Sequence, residues 1–346
     1  MRIKTIMKCL LTASLGLALI EGAWAQKTQL TVYTALEAEQ INEYAKVFNA
    51  AHPDIELQIV RDSTGVIVAK LIAERANPQA DVIWGVAASG LASLDQLNML
   101  EPYAPANFSN LSRQYVDAKT PPHWWGMDVT GAVVCFNTVE AAKRNIPLPQ
   151  TWHDLLKPEF RGQVVMPDPN SSGTGYFHVM SWLGMWGDDN GQGEGWKFMD
   201  GLHQNIAQYT HSGSKPCNMA ATGEYVAGIS FEYRGHTNKA KGAPIELVFP
   251  SEGLGWDVEA FAIHKGTQHM DAAKILADWA SSRDAMEIYG KSFAITAQPG
   301  VAPKLENIPD DYESRLINMD FESIAQNRTR VLQEWSQRYS SKTEPK

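Results

Sequence analysis

The order of apolar and polar residues between positions 30 and 85 alternates between the period of a strand and that of a helix. Leu30–Tyr33 is a short apolar run, and residues 55–59 alternate apolar with polar side chains, as in a half-buried strand. Between these runs, apolar residues recur at helical spacing, at Ile41, Tyr44, Ala45, Phe48 and Ala51. A helix at 64–76 and a strand at 81–85 are predicted next. This alternation is typical of a parallel α/β sheet.

A second series of apolar runs follows residues 121–126, where two prolines, two tryptophans and a glycine interrupt the pattern. The series predicts four strands, at residues 131–137, 163–166, 206–209 and 226–231. The run at 258–263 would return the chain to the first sheet, and helical spacing dominates afterwards, including residues 271–281 and 321–339. The predicted fold is therefore α/β with two lobes, one of residues 26–127 with 258–346 and the other of residues 128–257.

Loops that follow the strands of a parallel sheet lie at its carboxyl edge, where α/β proteins bind ligands. In the first lobe these loops are residues 34–37, 62–65 and 85–89, and in the second lobe they are residues 168–174, 211–215 and 232–234. The sequence thus predicts a binding site in the cleft between the lobes.

Two of these loops are rich in glycine and hydroxyl residues and stand where a strand passes into a helix. They read Asp62-Ser63-Thr64-Gly65 and Asn170-Ser171-Ser172-Gly173-Thr174-Gly175-Tyr176. Each loop alone is better explained as an ordinary helix N-cap, since Ser, Thr and Asp favour that position. Together they predict an oxyanion held from both lobes by unpaired N–H groups and hydroxyls. The predicted contacts are Ser63, Thr64, Ser171, Ser172, Gly173 and Thr174.

Residues 1–25 have the features of a secretory signal, with three basic residues, an apolar stretch and the cleavage site Ala23-Trp24-Ala25. We therefore predict an exported chain cleaved after Ala25, and no later segment has the ~18 apolar residues of a transmembrane helix. Removing residues 1–25 takes three basic residues and one acidic residue from totals of 30 and 39, which leaves a net charge of −11. This acidity disfavours nucleic acid and anionic membranes as partners, but a nest of N–H groups can still hold a small anion.

Several acidic and aromatic residues are candidates for the rest of the site. Glu37 either completes a capping box with Thr34 or faces the cleft and holds a cation. Glu232 and Tyr233 follow an apolar strand of the second lobe, and a carboxylate beside a phenol suits an ammonium group. Weaker candidates, for which core packing or plain surface charge is the alternative, are Thr34, Trp84, Asp128, Ser212 and Asp257.

The chain carries no recognisable catalytic motif. It lacks the G-x-S-x-G, H-E-x-x-H and P-loop patterns, and its nine histidines show no metal-ligand spacing. No base is placed by the sequence to activate Ser172 as a nucleophile. We therefore expect a binding protein without enzymatic activity, cofactor or metal.

Two cysteines, Cys135 and Cys217, remain after the predicted cleavage. They are too few for a disulfide scaffold, but they can form one bridge in an oxidising compartment or stay as buried thiols. Because Cys135 lies within an apolar strand, we favour thiols.

Over almost all of residues 26–346 the chain resembles the periplasmic solute-binding proteins of ABC importers, in their ferric-type two-lobe branch, and within it the 2-aminoethylphosphonate-binding proteins. The resemblance is carried by the segments LTVYTALE (30–37), RDSTG (61–65), ADVIWG (80–85), NSSGTGY (170–176) and GEYVAGISFEY (223–233). The iron binders have adjacent tyrosines at the end of the last segment, and many have a histidine after the first strand. This chain has Glu232-Tyr233 and Glu37 at those places, which weakens a ferric site and supplies carboxylates for an ammonium group.

The resemblance implies a type II-like periplasmic-binding-protein fold, with a mixed sheet flanked by helices in each lobe and the ligand in the interlobe cleft. It also implies a monomer that captures 2-aminoethylphosphonate and passes it to the membrane subunits of an ABC permease. The phosphonate would bind the two hydroxyl-rich loops, and the ammonium would bind Glu37, Glu232 and Tyr233. Ferric ion, inorganic phosphate, a phosphate ester and a polyamine remain alternative ligands, and an exported phosphoester hydrolase is the alternative function.

Overall fold

The computed structural model describes residues 27–345, in which strands and helices alternate. The strands are β1 Thr28–Thr34, β2 Ile55–Arg61, β3 Val82–Ala87, β4 Leu100–Glu101, β5 Trp125–Asn137, β6 Val164–Pro167, β7 Ile206–Thr210, β8 Ala227–Phe231, β9 Ile245–Val248 and β10 Trp256–His264. The α-helices are α1 Ala38–Ala51, α2 Thr64–Ala73, α3 Ala88–Gln96, α4 Thr138–Arg144, α5 Gly173–Trp186, α6 Glu194–Asn205, α7 Lys215–Ala221, α8 Glu232–Ala240, α9 Met270–Ala280, α10 Arg283–Tyr289 and α11 Phe321–Tyr339. The predicted signal sequence lies outside the described residues. Within residues 27–345, none of the helices combines the length and hydrophobicity needed to cross a bilayer.

The strands form one continuous sheet in the order β2-β1-β3-β10-β5-β8-β6-β7, with β4 beside β10 and β9 beside β5. On one side, β1 pairs in parallel with β2 and β3. On the other side, β6 pairs in parallel with β7 and β8. Between these two parallel regions, β10 and β5 run antiparallel to each other and to their outer neighbours β3 and β8. The predicted α/β fold with two sheet regions is confirmed.

The central strand β5 belongs to both lobes. Its first half, from Trp125 to Gly131, pairs with β10, and its second half, from Ala132 to Asn137, pairs with β8 and β9. All 13 residues of β5 are buried. The apolar pattern predicted only residues 131–137 as strand, because Asp128 and Thr130 interrupt the hydrophobic run before them. The predicted return of the chain at β10 is confirmed by its pairing with β3.

The first helix, α1, is capped three residues later than the predicted capping box at Thr34 implies. Its N-cap is Glu37, and Gln40 completes the capping box by accepting from the Glu37 N–H at 2.7 Å. The predicted box with Thr34 is therefore wrong, because the Thr34 hydroxyl instead accepts from the N–H of Leu36 at 3.1 Å. This local turn aims the chain from β1 into the helix and fixes where Glu37 stands.

The C-terminal helix α11 has its predicted bounds but packs on both lobes. Its Trp335 ring lies edge-on to Tyr209 at 4.8 Å, and its Ile324 carbonyl accepts from the Tyr176 hydroxyl at 2.7 Å, both in the second lobe. The helix also packs against α3 of the first lobe. The predicted assignment of residues 258–346 to the first lobe alone is therefore not kept for α11.

The two cysteines of the described chain form a disulfide bond, so the expectation of free thiols is wrong. Cys135 on β5 and Cys217 on α7 have Cα atoms 5.3 Å apart. Helix α7 packs directly against β5, which brings the two side chains together. Apolar surroundings therefore do not distinguish a buried bridge from a buried thiol.

Replacing both Cys135 and Cys217 with alanine should lower the free energy of unfolding. The bridge closes a loop between positions 82 residues apart, for which the expected loss is about 2–5 kcal/mol. Guanidinium denaturation followed by tryptophan fluorescence would measure it, with the parent protein in excess reductant as control. A double variant with the same midpoint as the oxidised parent would contradict the prediction.

Candidate functional site

The first wall of the cleft is the carboxyl edge of β1, β2 and β3. These strands are parallel, so the loops that follow them emerge on one side. Ala35 and Glu37 follow β1, Ser63 and Thr64 follow β2, and Gly85 lies near the end of β3. The parallel arrangement of these strands is therefore sufficient to place the three loops of the first lobe at one edge of the cleft.

The second wall is the carboxyl edge of β6, β7 and β8. Residues 172–174 follow β6 and begin α5, and residues 212–214 follow β7. Phe231, the last residue of β8, lines the same space. The two parallel regions thus face each other with their ligand-binding edges.

The floor of the cleft comes from the antiparallel strands that join the lobes. Thr130 of β5 lies opposite Asp257 of β10, and Asp128 lies opposite Glu259. Side chains two residues apart on a strand share a face, so these four polar groups project to the same side of the sheet. Thr130, Asp257 and Glu259 line the cleft.

The helix N-terminus of the second lobe supplies hydrogen-bond donors. Ser172 is the N-cap of α5, and its Oγ accepts from the N–H of Gly175 at 3.3 Å, which leaves the hydroxyl proton free to donate. The N–H groups of Gly173 and Thr174 lie in the first helical turn, where an α-helix offers them no acceptor. Such an N-terminus is suited to an oxyanion.

A guanidinium group adds positive charge to the same cleft. Arg61, at the end of β2, lines the cleft with its side chain 37% exposed. Its Nε donates to the Leu36 carbonyl at 3.0 Å, and its NH2 group donates to the Glu37 carboxylate at 3.2 Å. Held in this way, Arg61 offers a fixed planar cation beside the hydroxyl-rich loops.

The carboxyl groups of the floor are incompletely hydrogen-bonded. Asp257 accepts from the N–H groups of Ser89 and Val258 through Oδ1, whereas its Oδ2 and the Thr130 hydroxyl have no partner. Burial raises the pKa of Asp257 to about 6. Burial, with repulsion from neighbouring carboxylates, raises the pKa of Glu259 to about 8. Because unpaired buried polar atoms are costly, this floor is arranged for a ligand that brings donors.

The two lobes contact each other directly across the cleft. The N–H of Gly65 donates to the Ser171 carbonyl at 2.8 Å. Arg234 of α8 forms ion pairs with Glu37 at 3.2 Å and Glu39 at 3.0 Å. Since all of these contacts join opposite lobes, the structure shows a closed cleft.

Eight of the residues predicted from the sequence line the cleft, namely Glu37, Ser63, Thr64, Ser172, Gly173, Thr174, Ser212 and Asp257. Glu37 differs from expectation in one respect. Its carboxylate is already paired with Arg61 and Arg234, so it is not a free anion for an ammonium group.

Three predicted residues lie beside the cleft rather than in its lining. Ser171 donates its hydroxyl to the His211 carbonyl at 2.9 Å and contributes its own carbonyl to the interlobe contact. Thr34 is fully buried and turns the chain before α1. Trp84 is a core residue, with its ring 5.8 Å from that of Trp279. Each has a structural role that its neighbours in the chain do not reveal.

The three remaining predicted residues lie behind the floor. Asp128 and Glu232 are completely buried, and Glu232 accepts from the N–H of Gly131 at 2.7 Å. The Tyr233 ring stacks on Phe293 at 5.2 Å. None of the three lines the cleft, so the predicted direct contact of Glu232 and Tyr233 with a ligand does not follow from their positions.

Sequence reasoning missed Arg61, Thr130 and Glu259 as cleft residues. In the sequence, Arg61 stands only as the flank of a hydroxyl-rich loop. The signal for the other two was present in the repeated pattern polar-Val-polar at residues 128–130 and 257–259. Polar residues at every second position of a buried strand indicate one face that meets a site.

The arrangement of two α/β lobes around a closed cleft matches a known family. The model for bacterial extracellular solute-binding proteins matches residues 77–327. The chain belongs to this family. An uncharacterized protein of Haemophilus influenzae is 32% identical to this family member over 332 residues, 93% of each sequence. A probable ABC transporter periplasmic-binding protein of Sinorhizobium fredii is 28% identical over 300 residues, 84% of this chain and 80% of its own.

A solved structure is similar over most of the chain. The periplasmic binding protein AfuA of Actinobacillus pleuropneumoniae, with fructose 6-phosphate bound, is 30% identical. The match covers 91% of this solute-binding protein and 99% of AfuA, with a TM-score of 0.84. The two-lobe periplasmic-binding-protein fold predicted from the sequence is thereby confirmed.

Replacing Gly65 with alanine should prevent the lobes from closing. A Cβ at this position would overlap the Asn170 and Ser171 carbonyls of the opposite lobe, whereas alanine is favourable within a helix. We expect unchanged thermal stability without ligand, at least tenfold weaker binding of its ligand and a larger radius of gyration in X-ray scattering with the ligand present.

Gly184→Ala is the matched control for Gly65→Ala. It also adds a methyl group to a helical glycine, but nothing lies within 4 Å of that position. Gly184→Ala should bind and close as the parent does. If Gly65→Ala did so as well, the closed contact would not be needed for binding.

Proposed function

We propose that this protein captures 2-aminoethylphosphonate in the interlobe cleft and delivers it to the membrane permease of an ABC importer, without chemical change. The observation that carries the proposal is the combination of oxyanion donors on the walls with carboxyl groups on the floor that form no ion pair within residues 27–345. A short zwitterion with a phosphonate and an ammonium group complements both.

The phosphonate fits the wall donors. Hydroxyls and helix N-termini reach the cleft from both lobes at Ser63, Thr64, Ser172, Gly173 and Thr174. Arg61 adds a cation, so a doubly charged oxyanion would gain charge-assisted hydrogen bonds. Contacts made from two lobes favour the closed form, since they are complete only when the lobes meet.

The ammonium fits the floor better than it fits Glu37. Two guanidinium groups neutralise Glu37, while Asp257 and Glu259 line the cleft without an ion pair. A carboxylate with no cation beside it is the stronger acceptor for an alkylammonium group. The proposed ammonium contacts are therefore Asp257 and Glu259.

A sugar phosphate is the second candidate ligand. AfuA, 30% identical to this protein, has fructose 6-phosphate in its structure. Carboxyl groups accept hydrogen bonds from sugar hydroxyls as well as from ammonium, and the wall donors suit a phosphate ester equally. The two ligands differ in the group that contacts the floor, which is a charged ammonium in 2-aminoethylphosphonate and a neutral hydroxyl in a sugar phosphate.

Three other ligands would each contact fewer of the cleft's polar groups than a zwitterion does, namely inorganic phosphate, a polyamine and ferric ion. Inorganic phosphate leaves the floor carboxyls without a partner, and a polyamine leaves the wall donors unused. A ferric site would draw on a tyrosine phenolate, but Tyr233 packs on Phe293 away from the cleft. For an exported hydrolase, Ser172 would need a base, and no histidine lines the cleft within residues 27–345.

Calorimetric titration of protein stripped of ligand by unfolding and refolding tests the proposal. The titrants are 2-aminoethylphosphonate, fructose 6-phosphate and inorganic phosphate. One-to-one binding of the aminophosphonate at least 100-fold tighter than the other two supports it. Tighter binding of fructose 6-phosphate would identify a sugar phosphate as the ligand instead. If neither organic ligand gave a heat of binding, both proposed ligands would be rejected.

Ser172→Ala should weaken binding of 2-aminoethylphosphonate by roughly 10- to 100-fold, because a charge-assisted hydrogen bond is worth about 1.5–3 kcal/mol. Ser282→Ala is the matched control, since Ser282 caps α10 in the same way, at 3.2 Å from the Ala285 N–H. Both variants lose about 1 kcal/mol of cap stability. Equal affinities of the two variants would show that Ser172 acts only as a cap.

A further inference from the structure

Three carboxyl groups meet beneath the cleft, on three different elements. Asp128 of β5 lies directly opposite Glu259 of β10, and their carboxyls are close enough to share a hydrogen bond. Glu232, at the start of α8, is near enough to repel both. Only Glu259 lines the cleft, so the cluster has one member exposed to a ligand and two members behind it.

The cluster has too few hydrogen-bond donors. No N–H group or hydroxyl of residues 27–345 donates to either carboxyl oxygen of Asp128 or to Oε1 of Glu232, and all three atoms are buried. Oε2 of Glu232 accepts from the Gly131 N–H, and Glu259 receives only a long contact of 3.4 Å from Gln40. Buried carboxyls of native proteins are normally paired, so the missing donors indicate a group that arrives with the ligand.

The groups that face the cluster supply no positive charge. Helix α1 presents Glu37, Gln40 and Tyr44, helix α10 presents Tyr289, and helix α8 presents Tyr233 next to Glu232. The buried phenol of Tyr312 lies on the Gly131 side of Glu232 and is also neutral. The arginine on α8, Arg234, is ion-paired with Glu37 and Glu39. Within residues 27–345, no cation acts on Asp128, Glu232 or Glu259.

Resting on the function proposed above, we propose that Glu259, with Asp128 and Glu232 behind it, is the ammonium subsite and gives up a shared proton to solvent when the ammonium group enters. The empty cluster holds that proton between Glu259 and Asp128, because two adjacent buried carboxylates cannot both be ionised. The ammonium replaces the proton as the compensating positive charge. Glu232 keeps its own proton, while Asp128 and Glu259 together exchange one proton for the charge of the ammonium group. Charge is thereby conserved within the cluster, and the released proton leaves through the cleft.

The protonation state of the empty cluster agrees with this exchange. Burial raises the pKa of Glu232 to about 8 and that of Glu259 to about 8, and it raises the pKa of Asp128 as well. An alkylammonium stays charged up to about pH 10. Binding at pH 7 should therefore release a proton, and affinity should rise with pH between pH 6 and pH 8, by at most roughly tenfold per pH unit for one proton.

A neutral hydroxyl would behave differently. A protonated carboxyl can hold a sugar hydroxyl by exchanging hydrogen bonds, and no proton needs to leave. The number of protons released therefore distinguishes an ammonium subsite from a hydroxyl subsite built of the same residues.

The test is titration of the parent protein with 2-aminoethylphosphonate at pH 7 in two buffers with different heats of ionisation. The difference in observed heat gives the number of protons released. Ethylphosphonate, which lacks the amine, measures protons that belong to the phosphonate end, after each count is corrected for the ionisation of the free ligand's own phosphonate at that pH. We expect an excess of up to about one proton for the aminophosphonate and a matching rise in affinity with pH.

Variants locate the proton. Glu259→Gln should abolish the excess and weaken binding of the aminophosphonate more than 10-fold, with little effect on ethylphosphonate. If Glu259→Gln binds too weakly to measure, Asp128→Asn is the second variant, because it keeps Glu259 at the cleft. Asp128→Asn should still bind the aminophosphonate and should release less than half of the excess protons. Glu287→Gln is the control, an exposed carboxylate paired with Arg283 on α10, and should match the parent.

Two results would overturn the inference while leaving the proposed function intact. One is tight binding of 2-aminoethylphosphonate with the same proton count as ethylphosphonate. The other is an excess that persists in Glu259→Gln and Asp128→Asn alike. Absence of binding by the parent would instead reject the proposed function itself.

Discussion

The structure depends on the antiparallel pairing of β5 with β10. These two strands lie in the middle of the sheet, and they connect one parallel region with the other. Because the pairing runs along both strands with one register shift, between Glu259 and Ala260, the two lobes can rotate about it only within the limits that twisting a strand pair allows. The loops that bind a ligand are therefore brought face to face by the same strands that form the floor beneath it.

This position explains why polar residues occur in strands that are otherwise buried. Asp128, Thr130, Asp257 and Glu259 share one face of the central pair. A buried carboxyl without a cation is destabilising, and packed apolar side chains at these positions would give a more stable sheet. The polar face is consistent with a site that sacrifices local stability for binding, as functional sites commonly do.

In the closed cleft, individual residues have roles that differ from those inferred from the sequence. Glu37 resembles a free carboxylate in the sequence, but Arg61 from its own lobe and Arg234 from the opposite lobe both pair with it. Its charge is thereby used to hold the lobes together and to orient a guanidinium. Gly65 contributes in a similar way, since its lack of a side chain lets the second lobe approach the start of α2.

The sequence by itself determined the fold class, the strands and helices with clear periodicity, and the hydroxyl-rich walls of the site. These features follow from local chemistry, because the period of the apolar residues and the residues preferred at helix N-termini are written in short segments. The exact bounds of α11 and the cleft positions of Ser63, Thr64 and residues 172–174 are examples. The local pattern of apolar residues did not predict the first half of β5 as a strand, because that half is polar on one face.

Only the tertiary structure decided the floor, the disulfide bond and the pairing of Glu37. Asp128 and Glu259 are 131 positions apart in the sequence, and their meeting depends on the register of two strands that are not consecutive. Cys135 meets Cys217 because α7 packs on β5. Such contacts are set by long-range packing and by the closure of two lobes, so no short segment of the chain contains the information that specifies them.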